Sequence, residues 1–374
     1  MKIVVAPDSF KGSLSAAEVA HSIAEKAKEH FPNAKVVSIP IADGGEGTLE
    51  ALLSGKDFEK IECTVTGPDF RPSPSYYLRD GEAAYIEMAL TSGLGMVQEP
   101  SARKTTSQGL GEAIAHALDA GAKMLYIAIG GSATNDGGIG MMRALGVRFL
   151  DENGEALCGI GDNLSKICAI DLSGMHPRIR EIKCKIICDV KNPLVGKTGA
   201  TMMYGAQKGA SQEELIQLEA GMQNYAAVLE KTIPGTWSSA IGGGAAGGVG
   251  AALMAFLGGQ FCSGIETVLD ILDFNKTISD ADLIITGEGK MDAQSAFGKA
   301  AVGVAARCGD KPCIALVGGI GEGFEAVYQA GIRAVYSVFH TAMPLTEAMK
   351  NAELMLKNAA DRMFRLLKIQ VNNK

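Results

Sequence analysis

The sequence predicts an α/β protein with two domains: a doubly wound parallel sheet and an inserted α/β domain with a mixed sheet. Strand-like and helix-like runs alternate at both ends of the chain, which is typical of a parallel sheet. The middle contains short strand candidates and a hairpin turn, which predict antiparallel pairing. The length of 374 residues suits about two domains, at roughly 150 residues per domain.

The first alternation begins with a short apolar strand at residues 3–6. Ser15 and Glu18 have the spacing of a capping box, which predicts the start of a helix. Residues 35–42 are expected to form the next strand and residues 48–54 the next helix. This order of elements predicts the start of the parallel sheet.

The alternation of strands and helices gives way to short strand candidates near residue 61 and returns after residue 270. Asp80 and Gly81 form the turn expected for a hairpin. The elements expected in the middle are strands at 61–66, 75–78, 83–88, 124–129, 147–150 and 185–188 and a helix at 106–120. The elements expected near the C-terminus are strands at 283–286, 314–317 and 334–339 and helices at 296–307, 324–330 and 345–367. We therefore expect residues 1–62 plus 270–374 to form one domain and residues 63–269 to be the insertion, with the active site in the cleft between them.

Composition and charge argue against several classes of protein. The net charge is −7 and no basic stripe is present, so nucleic acid is a poor partner. The N-terminal apolar run is too short for a signal peptide, and the uncharged stretch after Lys231 is too rich in glycine for a membrane-spanning helix. The eight cysteines form no Cys-x-x-Cys pair, which suits reduced thiols. We therefore expect a cytoplasmic protein that does not bind membranes.

Five strand-like runs end in loops that combine an acidic residue with glycine or another turn residue, at 7–13, 43–47, 130–138, 189–196 and 287–292. In a parallel sheet such loops gather at the carboxyl ends of the strands, where ligands bind. Glycine lets backbone N–H groups approach an anion, and carboxylates can share Mg²⁺ with a phosphate. The pattern therefore predicts phosphoryl transfer from a nucleotide. The alternative is that these residues only cap helices.

Other motifs favour other functions. Residues 242–247 match G-x-G-x-x-G, and Glu266 lies at the distance expected for a ribose contact, which suggests a dinucleotide enzyme. Residues 237–241 make a poor strand, so the match lacks its usual context. Residues 196–198 resemble the end of a P-loop, but Lys191 stands where that motif requires glycine.

Few residue types are candidates for the general acid or base. The five histidines are scattered and none lies in an acidic glycine loop, so a Ser-His-Asp hydrolase or a zinc site has little support. An aspartate is therefore the expected base, as in kinases that accept a hydroxyl proton. Arg71 and Lys11 are the basic residues best placed to hold a small carboxylate or a phosphate.

The sequence closely resembles the bacterial glycerate kinase family of the first type. The resemblance rests on residues 6–13, 42–48, 130–138, 204–210, 243–248 and 286–292, in the order of the family. It implies ATP-dependent phosphorylation of D-glycerate. It also implies a flavodoxin-like domain and a second domain that resembles a restriction-endonuclease core.

The resemblance and the positions of the loops together give each candidate residue an expected role. The expected catalytic residues are Asp189, as the first choice for the base, Asp8, as the second, and Lys11. The expected substrate-binding residues are Ser13, Asp43, Glu46 and Arg71. The expected nucleotide-binding residues are Gly131, Ser132, Thr134, Asn135, Asp136, Gly243, Gly244 and Lys290. Glu288 and Asp292 are expected to hold Mg²⁺ directly or through water, and Lys11, Arg71 and Lys290 to neutralise carboxylate and phosphate charges.

Two further functions stay open at this point. A nicotinamide-dependent oxidoreductase would use the glycines at 242–247, and a non-catalytic sensor of small acids would bind its ligand without forming ADP. Within the kinase hypothesis, phosphorylation at carbon 2 is favoured over carbon 3. The sequence does not decide whether the protein forms a homodimer.

Overall fold

The computed structural model describes residues 1–371 and divides the chain into two compact units. Unit 1 comprises Met1–Asp43, Glu50–Asp57 and Ile265 to the C-terminal region, and unit 2 comprises Gly44–Leu49 and Phe58–Gly264. The strands are β1 Lys2–Pro7, β2 Lys35–Ser38, β3 Glu59–Thr66, β4 Pro72–Asp80, β5 Ala83–Glu87, β6 Met124–Ala128, β7 Arg148–Leu150, β8 Ala169–Asp171, β9 Lys183–Ile187, β10 Gln260–Cys262, β11 Leu283–Gly287, β12 Lys290–Met291, β13 Cys313–Val317, β14 Gly319–Ile320 and β15 Ile332–Ser337. The α-helices are α1 Ala16–His30, α2 Thr48–Gly55, α3 Ala89–Ser92, α4 Gln108–Asp119, α5 Ile139–Ala144, α6 Ala200–Tyr204, α7 Gln212–Thr232, α8 Val249–Leu257, α9 Gly264–Ile271, α10 Phe274–Ile278, α11 Ala300–Arg307, α12 Leu345–Lys350 and α13 Ala352–Val371.

Unit 1 is built on a parallel sheet with the strand order β15-β13-β11-β1-β2. Numbered within the unit, this is the order 2-1-3-4-5 of flavodoxin-like doubly wound folds. β1 and β11 are buried because their residues are almost all apolar, and α1 and α13 pack against them through apolar faces. The capping box of Ser15 and Glu18 starts α1, as the sequence predicts.

Unit 2 is built on a mixed sheet with the strand order β10-β9-β6-β5-β4-β3. The strands from β10 to β5 are parallel, whereas β5, β4 and β3 form an antiparallel meander. The hairpin predicted at Asp80 and Gly81 joins β4 to β5. The predicted class, a doubly wound parallel sheet with a separate mixed α/β part, is confirmed.

The division into units departs from the predicted boundaries. The chain passes into unit 2 at residue 58 rather than 63 and returns at residue 265 rather than 270, because β3 starts at Glu59 and Ile265 packs on Gly303. Gly44–Leu49 also belongs to unit 2, since the Glu87 carboxylate accepts hydrogen bonds from Gly47 N (2.9 Å) and Leu49 N (2.8 Å). The position of the active site between domains stays a prediction.

Three predicted helices are also corrected. Residues 324–328 form a 3₁₀ turn, and the helix expected from residue 296 starts at Ala300 after a 3₁₀ segment. The last helix is broken into α12 and α13 at Asn351, whose side-chain amide bonds to Glu347 O and so competes with the helical backbone. Among the helices of residues 1–371, none is long and apolar enough to span a bilayer.

Candidate active site

Three carboxylates follow three adjacent strands at the carboxyl edge of the unit 1 sheet. Asp8 follows β1 directly, and Glu288 follows β11. Pro7 pairs with Gly287 in the parallel register, so the next residues of the two strands are neighbours. Asp43 lies in the loop after β2, on the other side of β1, because the pairing with β1 continues through Ile41 N to Pro7 O (3.0 Å). The charges of Asp43 and Glu288 both act on Asp8.

Asp8 is the most strongly perturbed acid of this group. Burial, the negative charge of Asp43 and that of Glu288 raise the pKa of Asp8 to about 7, against the opposing hydrogen bond from Ser9 N to Oδ1 (2.6 Å). Asp8 therefore changes charge near neutral pH. Strong perturbation of this kind is typical of functional carboxylates.

Glu288 is buried and incompletely bonded. It is 6% exposed, and its Oε1 has no hydrogen-bond partner among residues 1–371. Burial raises the pKa of Glu288, and the charges of Asp292 and Asp43 act in the same direction, while a hydrogen bond with Ser295 opposes them. A buried carboxylate oxygen without a partner is costly unless a ligand completes its bonding. Glu288 is therefore a candidate ligand for a cation.

The other predicted residues of unit 1 lie in the loops around this group. Lys11 is exposed, and half-buried Ser13 donates its hydroxyl to Phe10 O (2.8 Å). Exposed Lys290 lies 3.2 Å from Asp292 Oδ2, while Asp292 Oδ1 accepts from Gln294 N (3.0 Å). These two partners, Lys290 first, lower the pKa of Asp292. Both Asp292 oxygens are thus occupied, so this side chain fits the predicted metal site less well than Glu288 does.

The glycine loop at residues 130–138 follows β6 in unit 2, and its side chains are largely buried. Asp136 has no exposed surface and accepts hydrogen bonds from Ser107 N, Ser107 Oγ, Gly138 N and Gly140 N, at 2.7–3.2 Å. Burial raises the pKa of Asp136, and these hydrogen bonds oppose the rise. Asn135 is equally buried and bonds to Thr201 Oγ1 (3.0 Å). These hydrogen bonds hold Asp136 and Asn135 in the loop, and their predicted contact with the nucleotide stays a prediction.

Gly131, Ser132 and Thr134 form the rest of the predicted phosphate cradle. Gly131 has a φ of +72°, and its carbonyl accepts from Leu94 N (2.8 Å). The hydroxyl of buried Thr134 has no hydrogen-bond partner among residues 1–371. Ser132 Oγ accepts from Lys208 Nζ at 2.9 Å. Gly131 is exposed, whereas Ser132 and Thr134 are buried, and a phosphate contact stays a prediction for all three.

Lys208 is the residue that the sequence reasoning missed. It is 2% exposed, and burial lowers the pKa of its amine to about 7, although the charge of Asp136 opposes the shift. The only sequence signal was its position inside residues 204–210, a stretch shared with the resembling family. Its burial against the glycine loop depends on tertiary packing, which spacing alone does not show.

The second glycine loop, at residues 242–248, is closely packed, and the nucleotide contacts predicted for Gly243 and Gly244 stay a prediction. Gly243 N donates to Ala240 O (2.9 Å) and Gly244 N to Asn192 O (3.0 Å), so both predicted phosphate donors are already bonded. A Cβ at Gly247 would lie 2.0 Å from Thr134 O, which explains why glycine is needed there. No strand lies between Thr232 and the loop, so the motif lacks the preceding strand that dinucleotide binding requires.

The remaining predicted residues of unit 2 are exposed. Asp189 follows β9, and its Oδ2 accepts from Gly264 N (3.1 Å). Arg71 forms an ion pair with Asp69, and this partner lowers the pKa of Asp69. Glu46 is also exposed and lies in the loop that approaches Gly130, where a Cβ would be 2.6 Å from Gly45 Cα. Within unit 2 the structure thus brings residues 44–47 close to the loop at 130–138.

The perturbed carboxylates at the end of a parallel sheet and the glycine loop are the features expected of a phosphoryl-transfer enzyme. A model of the glycerate kinase family matches residues 3–368. The glycerate kinase of Bacillus subtilis (strain 168) is 45% identical over 368 residues, covering 96% of this chain and 96% of that protein. The glycerate 2-kinase of Escherichia coli (strain K12) is 44% identical, with 100% of both chains covered.

A solved structure supports the same assignment. A crystal structure described as that of a glycerate kinase 2 from Salmonella typhimurium LT2 superimposes with a TM-score of 0.85 and 42% identity, over 100% of this chain and 99% of that one. The chain belongs to the glycerate kinase family. The resemblance seen in the sequence is thereby confirmed, and so is the predicted class, an ATP-dependent small-molecule kinase.

Proposed function

We propose that this protein transfers the γ-phosphoryl group of ATP to the 2-hydroxyl group of D-glycerate, giving ADP and 2-phosphoglycerate. Membership of the glycerate kinase family supports the reaction. The name of the E. coli relative, glycerate 2-kinase, supports carbon 2 as the acceptor position. The observation that carries the chemistry is the pKa of Asp8, raised to about 7 beside Asp43 and Glu288.

Asp8 is our choice for the general base, ahead of Asp189. A carboxylate with an ordinary pKa near 4 is a weak base at neutral pH, whereas a pKa near 7 suits proton transfer at that pH. Asp8 has that property in the absence of a metal ion because of its burial, which is the largest cause, and its two acidic neighbours. A cation bound to those neighbours would offset their charges and leave burial as the cause of the raised pKa. Asp189, the first choice from the sequence, is exposed and already accepts a hydrogen bond from Gly264 N. The electrostatics therefore favour Asp8 as the group that accepts the proton of the glycerate hydroxyl.

Mg²⁺ is the proposed metal cofactor, with Glu288 and Asp43 as its protein ligands. Glu288 Oε1 is buried and without a partner among residues 1–371, and carboxylate oxygens are the ligands that Mg²⁺ prefers. No group of three acidic, histidine or cysteine side chains in that part of the chain is arranged to hold a metal alone. This suits Mg²⁺, which binds one or two carboxylates together with substrate phosphates. Bound there, the ion would neutralise charge on the phosphate oxygens.

The remaining roles follow from position and charge. Gly131, Ser132 and Thr134 are proposed to contact ATP phosphates, and the exposed amines of Lys11 and Lys290 to offset the charges of phosphate and carboxylate. Ser13, Glu46 and Arg71 are kept as proposed contacts of glycerate.

The test is phosphorus NMR, with proton coupling retained, on the protein with ATP, Mg²⁺ and D-glycerate. Phosphate on carbon 2 has one neighbouring hydrogen and gives a doublet, whereas phosphate on carbon 3 has two and gives a triplet. We expect the doublet. A triplet would contradict the position, and the absence of any new ester relative to a reaction without glycerate would contradict the substrate.

A further inference from the structure

Lys208 is a buried cation for which the proposed reaction has no role so far. It ends the 3₁₀ turn Ala206–Lys208 and is 2% exposed. Its Nζ donates to Ser132 Oγ (2.9 Å) and to Thr134 O (2.6 Å). Both acceptors lie in the glycine loop at residues 130–138. Lys208 is therefore bonded to this loop from a buried position.

The protonation state of Lys208 sets the direction of the hydrogen bond at Ser132. In its charged form the amine has three donors and no acceptor, so the Ser132 hydroxyl oxygen accepts from Lys208 and its proton points elsewhere. An anion bound at the loop favours this charged form, because an opposite charge nearby raises the pKa of an amine. The structure shows no acceptor for that proton within residues 1–371, and Ser132 keeps 9% of its surface exposed. An acceptor on a bound ligand would complete the hydrogen bonding of this hydroxyl.

We propose that Lys208 is a positioning residue that makes Ser132 an obligatory hydrogen-bond donor to a phosphate group of the bound nucleotide. The inference rests on the proposed function, in which the glycine loop contacts ATP. The nearby positive charge also polarises the Ser132 hydroxyl and strengthens its bond to an anion. The ligand group selected in this way is anionic and accepts hydrogen bonds.

A purely structural role for this lysine has weaker support. Burying an amine is costly, as its lowered pKa shows, and a methionine would fill a similar space without that cost. Asp136 lowers the cost only in part, because its oxygens already accept four hydrogen bonds from Ser107, Gly138 and Gly140. A lysine that acts only on loop shape would affect ATP binding whether or not Ser132 has a hydroxyl. The two roles can therefore be separated by experiment.

The test compares Lys208→Met, Ser132→Ala and the double variant by calorimetric titration with ATP and Mg²⁺. Each single substitution removes a charge-assisted hydrogen bond, so we expect the Kd for ATP to rise about 10- to 100-fold. Because Lys208 acts through Ser132, the double variant should bind within about threefold of Ser132→Ala. Lys231→Met is the matched control: this exposed lysine of α7 should leave the Kd unchanged.

Two results would overturn the proposal. One is wild-type affinity for ATP in folded Lys208→Met; the other is multiplication of the two single effects in the double variant. If Lys208→Met does not fold, Ser132→Ala against Ser132→Thr decides instead, since the threonine keeps the hydroxyl and alanine does not. Equal binding by those two variants would also refute the role. Formation of phosphoglycerate by the wild-type protein tests the proposed function separately.

Discussion

Asp8 in unit 1 and Asp136 in unit 2 lie in glycine-bearing loops that follow parallel strands, yet their carboxylates are bonded differently. Asp8 accepts hydrogen bonds from its neighbour Ser9 and lies near the charges of Asp43 and Glu288. Asp136 accepts four hydrogen bonds and is completely buried. The same local sequence pattern therefore gives a carboxylate that can react in one unit and a carboxylate that holds a loop in the other.

The number of hydrogen bonds decides which role each acid can take. A carboxylate that accepts several backbone N–H bonds is fixed in place and cannot approach a substrate without breaking them. A carboxyl group close to like charges has a raised pKa, so it keeps its proton up to a higher pH and can exchange it near neutral pH. Glycine next to an acid is therefore insufficient evidence of a catalytic site, because the partners of the acid come from elsewhere in the fold.

The largest expected effect is on catalysis, from Asp8→Asn. Loss of the base should lower kcat by roughly 10²–10⁴, the range usual for general bases, while leaving the fold intact. Asp189→Asn should lower kcat by less than about 10-fold, because that side chain is exposed and outside the carboxylate group of unit 1. Initial rates of ADP formation at saturating ATP, Mg²⁺ and glycerate measure both. If Asp189→Asn causes the larger loss, the assignment of the base is reversed.

The next largest expected effect is on stability, from Asp136→Asn. The amide accepts at only one of the two positions, so either Gly138 N, or Ser107 N, Ser107 Oγ and Gly140 N together, lose their partner and face an N–H group. We expect the free energy of unfolding to fall by about 2–4 kcal/mol. Urea denaturation followed by circular dichroism measures the change. Asp151→Asn is the control, because this acid caps an exposed turn and its amide oxygen can still accept from Asn153 N and Glu155 N.

An Asp136→Asn protein as stable as wild type would remove the contrast between the two acids. For the control, Asp151→Asn, we expect the free energy of unfolding to change by less than about 0.5 kcal/mol. The comparison therefore depends on the difference between the two variants.

Features that depend on local chemistry could be predicted from the sequence. The capping box at Ser15 and the hairpin at Asp80 and Gly81 are set by neighbouring residues, and both are present. The assignment of Gly44–Leu49 to unit 2 could not be predicted, because it depends on Glu87, which is distant in sequence. Tertiary hydrogen bonds of this kind leave no periodic signal.

For the candidate site, the sequence predicted the positions of the loops but not the contacts of their side chains. Its loops were found because strands of a parallel sheet end at one edge, and Asp8, Asp43 and Glu288 follow from that rule. The burial and hydrogen bonding of the loop side chains were not predictable, because the partners of Asp136, Asn135 and Ser132 come from elsewhere in the chain. The raised pKa of Asp8 was not predictable either, because burial and the approach of other carboxylates are tertiary properties.

The smallest expected effect is on the pH dependence of stability, and it again separates the two acids. The pKa of Asp8 is about 7 in the folded protein and near 4 when unfolded, so the folded state binds an extra proton between these values. The stabilisation is complete below about pH 4 and is lost as the pH rises through 7. Asp8→Asn removes this dependence on pH. From pH 5 to pH 8 the free energy of unfolding of the variant should therefore rise relative to that of the wild type by about 1–2 kcal/mol. This figure allows for the partial exposure of Asp8. Urea denaturation of both proteins at the two pH values measures it, and parallel curves would show that Asp8 is not crowded by Asp43 and Glu288 in solution.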